Sequence, residues 1–253
     1  MQGHNYQTEA IVIKKTKLGE ADRILTLFTP DLGRIQAVAK GVRKPKSKMA
    51  GHLELLTHSQ LMLAKGHNLD TITACQTINS FLPLKNDLDL IAYALYVTEL
   101  VEQFTIEDQE NRQLFELLRD TLQRLCEANN RDIVVHHYEM QLLDQAGYRP
   151  ELRRCIDCQK PLEPVTNYFS FSEGGVLCPD CRRTRPYARP LSVNALKVMR
   201  LLQDNDTATA FKLKISSSLA EELEDIIRRY VKYLLEKDVK STAWMDNLKT
   251  HSS

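Results

Sequence analysis

The sequence predicts a multidomain α+β protein. An amino-terminal OB-fold β-barrel leads into an α-helical bundle domain with an embedded four-cysteine zinc ribbon. Three observations carry this. Residues 1–80 break into five short runs rich in β-branched and aromatic residues. Beyond residue 81 the apolar residues recur at helical spacing. Within that helical stretch stand Cys155-Ile-Asp-Cys158 and Cys178-Pro-Asp-Cys181, two knuckles that can aim four thiolates at one ion. The boundaries expected are 1–80 for the barrel, 81–150 and 186–253 for the two parts of the helical domain, and 151–185 for the metal module.

In the barrel, Thr8–Ile13 opens the first strand and Leu18-Gly-Glu20 turns the chain. Arg23–Phe28 and Arg34–Ala39 follow, joined by a turn in which Gly33 is available for positive φ. A loop from Lys40 to Gly51 precedes a long fourth run, Leu53–Ala64, and Leu69–Ile78 is the fifth. Five strands in about eighty residues suit an OB-fold, with an SH3-like barrel as the alternative. In the helical part, Asn86 or Asp87 can cap a helix carrying Leu88, Ile91, Leu95 and Leu100. Helices are also expected over Arg112–Cys126 and Ile133–Ala146, the latter closed by Gly147. After the metal module, Arg185–Pro190 is a proline-punctuated connector. Ser192 caps the next helix, and Ser218-Leu-Ala-Glu221 is a capping box opening the last.

The net charge of +1 conceals segregation. Residues 1–80 hold eleven Lys/Arg against six Asp/Glu, whereas residues 81–150 hold six against thirteen. Lys40-Gly-Val-Arg43-Lys44-Pro-Lys46-Ser-Lys48 places five positive charges in nine residues. Such a loop can follow a phosphate backbone, and on an OB barrel, a fold that commonly binds single strands, this reading outweighs that of a merely solvated loop. Lys14, Lys15, Lys17, Arg23 and Arg34 can extend the track.

Four thiolates leave no open coordination position, so one zinc ion would be structural. A pair of disulfides or four unrelated reduced thiols are the competing readings, and an amino terminus with no signal-peptide pattern disfavours the disulfides. No stretch approaches the roughly 18 apolar residues of a membrane span, so the protein is expected in the cytoplasm. Neither a Walker-type loop nor a convincing catalytic constellation occurs, and no enzymatic activity is expected.

The order of basic barrel, helical bundle, zinc ribbon and closing helix resembles the RecO family of bacterial recombination mediators. The resemblance lies in Leu18-Gly-Glu20, Phe28-Thr29, Gly33, Lys40-Gly41 and Ser47. It continues through Tyr138-Glu139, Leu142-Leu143, Gly147-Tyr148 and Pro150 into Cys155 and Cys158, then the second knuckle and Lys240-Ser241. It implies a nucleoid-associated DNA repair factor that binds single- and double-stranded DNA and anneals complementary strands. With RecR, and in some bacteria RecF, such a factor loads RecA onto strands covered by single-strand-binding protein. The DNA contact would comprise Lys14, Arg23, Arg34, Lys40, Arg43, Lys44, Lys46 and Lys48. The helical domain would dock the acidic tail of single-strand-binding protein, with Arg124, Arg131 and His137 as candidate contacts. Some relatives place arginine where this chain has His136-His137. A zinc-ribbon transcription or RNA-binding factor is the alternative class.

Overall fold

A computed structural model of the chain describes residues 5–204 and 207–251. Met1–His4, part of the segment read as lacking a signal peptide, lie outside the described residues. The chain packs as two compact units. One takes in the chain through Glu127 together with the carboxyl-terminal residues from Ala243, and the other runs Ala128–Thr242. The expected seams at residues 80, 150 and 185 do not coincide with this packing division.

The first unit opens with β1 (Asn5–Leu18), β2 (Asp22–Thr29), β3 (Gly33–Ala39), β4 (His58–Ala64) and β5 (Asp70–Asn79). They close into a barrel in the order β1-β2-β3-β5-β4, with β3 and β5 parallel. This is the OB-like arrangement, and the SH3-like alternative falls away. β1 is long because it serves two neighbours. Asn5–Ile11 pair with β4 and Ile11–Leu18 with β2, and an irregularity between Val12 and Lys14 bends the strand from one to the other. Inward-facing Ala10, Val12, Leu25, Leu27, Ile35, Ala37, Leu61 and Leu63 form the barrel core. Gly33 adopts φ +61°, and a Cβ there would lie 1.8 Å from the Gln109 carbonyl oxygen, so only glycine fits.

The fourth run is shorter than expected. Gly51–Leu53 is a 3-10 turn, and Leu56 takes the left-handed region (φ 63°), so the strand begins only at His58. Leu53 and Leu56 are buried all the same. Apolar periodicity therefore marks a buried stretch but not its backbone.

Helices α1 (Leu82–Lys85), α2 (Leu88–Phe104) and α3 (Arg112–Glu127) belong to the same unit. Asp87 caps α2 by accepting from the Asp89 and Leu90 N–H groups. Leu88 is exposed and Leu100 is buried as expected, and the buried face also runs through Leu90, Ala94, Val97 and Val101. On α3, Phe115 sits between Phe28 (ring centroids 6.2 Å apart) and His58 (5.6 Å), covering the outer barrel wall. Fully burying such a ring contributes about 1.5–3 kcal/mol.

In the second unit α4 (Arg131–Gln145) is buried all round from Ile133 to Leu143. Its polar members are satisfied internally. His136 Nδ1 lies 2.8 Å from Glu139 Oε2, and Gln141 Nε2 donates to the Leu202 carbonyl at 2.7 Å. α5 (Val193–Gln203) and α7 (Ser217–Leu235) pack against α4. Between α5 and α7 lies α6 (Thr207–Ala210). Ser192 caps α5 as expected, whereas α7 is capped by Ser216, not Ser218. Strands β6 (Asn167–Ser170), β7 (Gly175–Leu177) and β8 (Arg189–Leu191) form a small sheet in the order β7-β6-β8. β6 and β7 form a hairpin between the two cysteine knuckles. The expected connector contributes its third strand, and Pro190, which has no N–H to donate, is tolerated because β8 is an edge. α8 (Lys240–His251) ends the chain.

Candidate nucleic-acid interface and metal centre

Three strands converge on the basic loop. Lys17 stands opposite Arg23, and Arg23 opposite Ala39, the residue before Lys40. The loop itself is pinned at three points. Gly41, at φ +65°, donates its N–H to Asp22 Oδ1 at 2.7 Å. Arg43 donates its backbone N–H to the Ala21 carbonyl at 2.9 Å and its Nη1 to the Gly19 carbonyl at 3.2 Å. Val42 is buried in the barrel core. Internal turns, Lys44 N–H to Gly41 and Ser47 N–H to Lys44, shape the remainder. Lys40, Arg43, Lys44, Lys46 and Lys48 all face solvent, and none forms an ion pair among the described residues.

The other basic candidates are placed differently. Lys14 pairs with Glu102 at 2.7 Å, and Lys15 with Glu54 at 2.5 Å. Arg34 sits at the far end of β3 from the loop, about 20 Å along the strand from Lys40. It donates to the Thr105 carbonyl at 3.2 Å and lies 3.5 Å from Glu107. The structure therefore gathers Lys17, Arg23 and the loop, while Lys14, Lys15 and Arg34 have their charge met by carboxylates of the same unit. Asp22 escapes sequence reasoning. An acidic residue in a basic stretch reads as a defect in the track, not as the anchor of its loop.

In the second unit the ligand atoms of Cys155, Cys158, Cys178 and Cys181 all lie within 4.8 Å of one another, with Cys158 and Cys178 sulfurs 3.9 Å apart. Four sulfurs at about 2.3 Å from one tetrahedral ion stand about 3.8 Å apart, so the donor set fits a metal. None of the four forms a disulfide. Burial pushes the Cys155 thiol up, but N–H groups of Cys178, Cys158 and Asp157 outweigh it and bring Cys155 down to about 7. Hydrogen bonding to Cys178 pushes Cys181 the other way. Cys155 is buried with Leu177 and Ala188, and Ile156, Leu162 and Tyr168 close around them. The cluster is thus part of a small core of its own.

The candidate tail contacts are divided between the two units. Arg124 is exposed near the end of α3 in the first unit, and Arg131 is the first residue of α4 in the second. His137 is only 5% exposed, its ring 5.1 Å from that of Phe211.

Comparison with known proteins adds the following. Residues 1–81 match the family described as "Recombination protein O N terminal", and residues 85–243 match "Recombination protein O C terminal". A "DNA repair protein RecO" of Dehalococcoides mccartyi is 47% identical over 245 residues, covering 97% of this chain and 96% of its own. One from Roseiflexus sp. is 41% identical, covering 98% and 88%. One from Halalkalibacterium halodurans is 31% identical, covering 97% and 96%.

Proposed function

The chain belongs to the RecO family of DNA repair proteins, and from that membership we propose that it is a non-enzymatic recombination mediator. It binds single- and double-stranded DNA, anneals complementary strands and, with RecR and in some settings RecF, helps load RecA onto strands coated by single-strand-binding protein. The observation that carries this reading is the Lys40–Lys48 loop. It is held to the β1–β2 turn by Asp22 and Arg43, and its cations are exposed and form no ion pair among the described residues. A pinned loop of this kind neutralises phosphates without first having to be ordered, and phosphate contacts carry no sequence information, which suits a protein that must act on any sequence.

Cys155, Cys158, Cys178 and Cys181 hold one zinc ion in this proposal. The ion supplies a structural cross-link, for all four coordination positions are taken by sulfur. Docking of an acidic protein tail belongs to the same proposal, with Arg124 and Arg131 as separate contacts to be tested singly and His137 the weakest of the three because of its burial. A site of action in the cytoplasm, at the nucleoid, accords with this role. No helix among the described residues is long and apolar enough to cross a membrane.

The test is a strand-annealing assay on complementary oligonucleotides coated with single-strand-binding protein, without ATP. The protein should speed annealing of unrelated sequences to a similar degree. No acceleration, or acceleration restricted to one sequence, would overturn the mediator reading.

A further inference from the structure

We propose that the segment Cys181–Arg189, at the edge of the cysteine cluster, is a second contact for single-stranded nucleic acid, with Tyr187 as a stacking platform for a base. This site lies wholly within the second unit and does not depend on the barrel loop.

Tyr187 is 92% exposed, the most exposed large hydrophobic side chain among the described residues. Leaving an aromatic ring in water is ordinary on a free tail, but this one is held. Arg185 to Ala188 form a turn closed by the Ala188 N–H donating to the Arg185 carbonyl at 3.1 Å, with Pro186 at the position where its fixed φ stiffens a turn. On one side, Ala188 is buried in the core around Cys155, and Arg189–Leu191 pairs with β6. On the other, the 3-10 helix Cys181–Thr184 begins at a cluster cysteine. The ring is thus presented from a turn anchored on both sides and stands open to solvent.

The segment itself is cationic. From Cys181 to Gln203 the chain contains no Asp or Glu against six Lys/Arg, four of them being Arg182, Arg183, Arg185 and Arg189. All four are exposed. Arg182 lies over the Tyr168 ring, 4.9 Å from its centroid, and Arg185 pairs with Glu173 at 2.6 Å, so these two are positioned. Arg183 and Arg189 flank Tyr187 four and two residues away. A π face beside several guanidinium groups is the chemistry that takes a base and its neighbouring phosphates. A duplex keeps its bases stacked and offers only the phosphates. An acidic peptide would use the arginines, but it gains little from a ring that stands clear of any apolar cleft.

The experiment measures anisotropy of labelled oligothymidylate, and of a blunt duplex of equal length, with full-length protein of verified zinc content. Tyr187→Ala should weaken binding of the single strand by about 5- to 150-fold, the range for one base stacked on an aromatic ring, and change duplex binding far less. Tyr187→Phe should keep most of the affinity. Arg183→Ala with Arg189→Ala should lower the salt slope on the single strand by about 0.7 for each phosphate no longer neutralised. In the unaltered protein, an oligonucleotide carrying iododeoxyuridine should photo-cross-link to Tyr187, a readout that needs no folded variant. Wild-type affinity in a zinc-loaded Tyr187→Ala protein, or cross-linking that misses residues 181–189, would overturn the proposal. So would loss of binding to an acidic peptide with single-strand binding intact. Any of these leaves the barrel loop's role standing. Conversely, DNA binding retained without the loop's charges but abolished by Tyr187→Ala would move the principal contact here.

Discussion

Asp22 Oδ1 accepts the Gly41 N–H at 2.7 Å, so a carboxylate fixes the first residue of the loop after Lys40. The arrangement sets two effects of one residue against each other. As a charge, Asp22 repels phosphate. As an acceptor, it holds the loop that attracts it.

Substitution separates the two. Asp22→Asn keeps an acceptor and removes the charge, so DNA binding should tighten modestly. Asp22→Ala removes both, frees the loop, and should cost about 0.5–1.5 kcal/mol of stability for the missing hydrogen bond. DNA binding should then weaken relative to Asp22→Asn. Equal affinity of the two variants, measured by anisotropy at fixed salt, would show that the anchor does not matter to the loop.

The loop cations and Arg34 should behave differently. Arg43, Lys44, Lys46 and Lys48 changed together to Ala should weaken binding almost equally for every sequence. The salt slope on single strands should fall by up to about 0.7 for each phosphate left unneutralised. Arg34→Ala should leave that slope nearly unchanged and lower stability by roughly 1–3 kcal/mol, because Arg34 is tied to Thr105 and Glu107. Paired urea melts and salt titrations check both statements. A slope change in Arg34→Ala would return that residue to the DNA track.

How much of this is legible in the sequence follows from what each residue advertises. Strand alternation, Gly33 and the cysteine spacing announce themselves because period-2 burial, positive φ and four thiolates each demand particular residue types at particular offsets. The start of β4 is misread because Leu53 and Leu56 are as buried as strand residues while lying in a turn. β8 is hidden because Pro186 and Pro190 read as a break, although Pro186 lies in the preceding turn and an edge strand tolerates Pro190. His137 reads as a surface contact, yet α4 is buried on all sides, with His136 beside Glu139 and Gln141 donating to the Leu202 carbonyl. Polar residues on a central helix carry no sequence signal that distinguishes them from solvated ones.

The metal centre yields a third prediction. Replacing any one of Cys155, Cys158, Cys178 or Cys181 by Ala should bring zinc well below one per chain and loosen residues 151–185, because binding energy there is folding energy. Hydrogen exchange should report the loosening in β6, β7 and β8 and leave β1–β5 protected. Protein purified without chelator that holds no near-stoichiometric zinc would refute the zinc assignment.

His58 supplies the last prediction, a pH dependence with a definite sign. It is buried on β4 against Phe115, with Nε2 3.0 Å from Glu9 Oε2. Burial lowers its pKa below the usual 6.5, Glu9 opposes that only in part, and Arg119 adds to it. A histidine whose folded pKa lies below its unfolded value resists a proton that the unfolded chain accepts. The unfolded state is therefore favoured as pH falls through about 6.5 towards the folded value, and His58 contributes no pH dependence well above that window. For one proton the slope is at most about 1.4 kcal/mol per pH unit. His58→Gln can still donate to Glu9 and does not titrate. It should lose stability at every pH through the missing ring contact with Phe115, yet show a flatter decline between about pH 7 and pH 5. Urea midpoints for both proteins across that range decide the matter, since other groups titrate equally in the two. If the profiles stay parallel, His58 does not carry the acid sensitivity of the barrel.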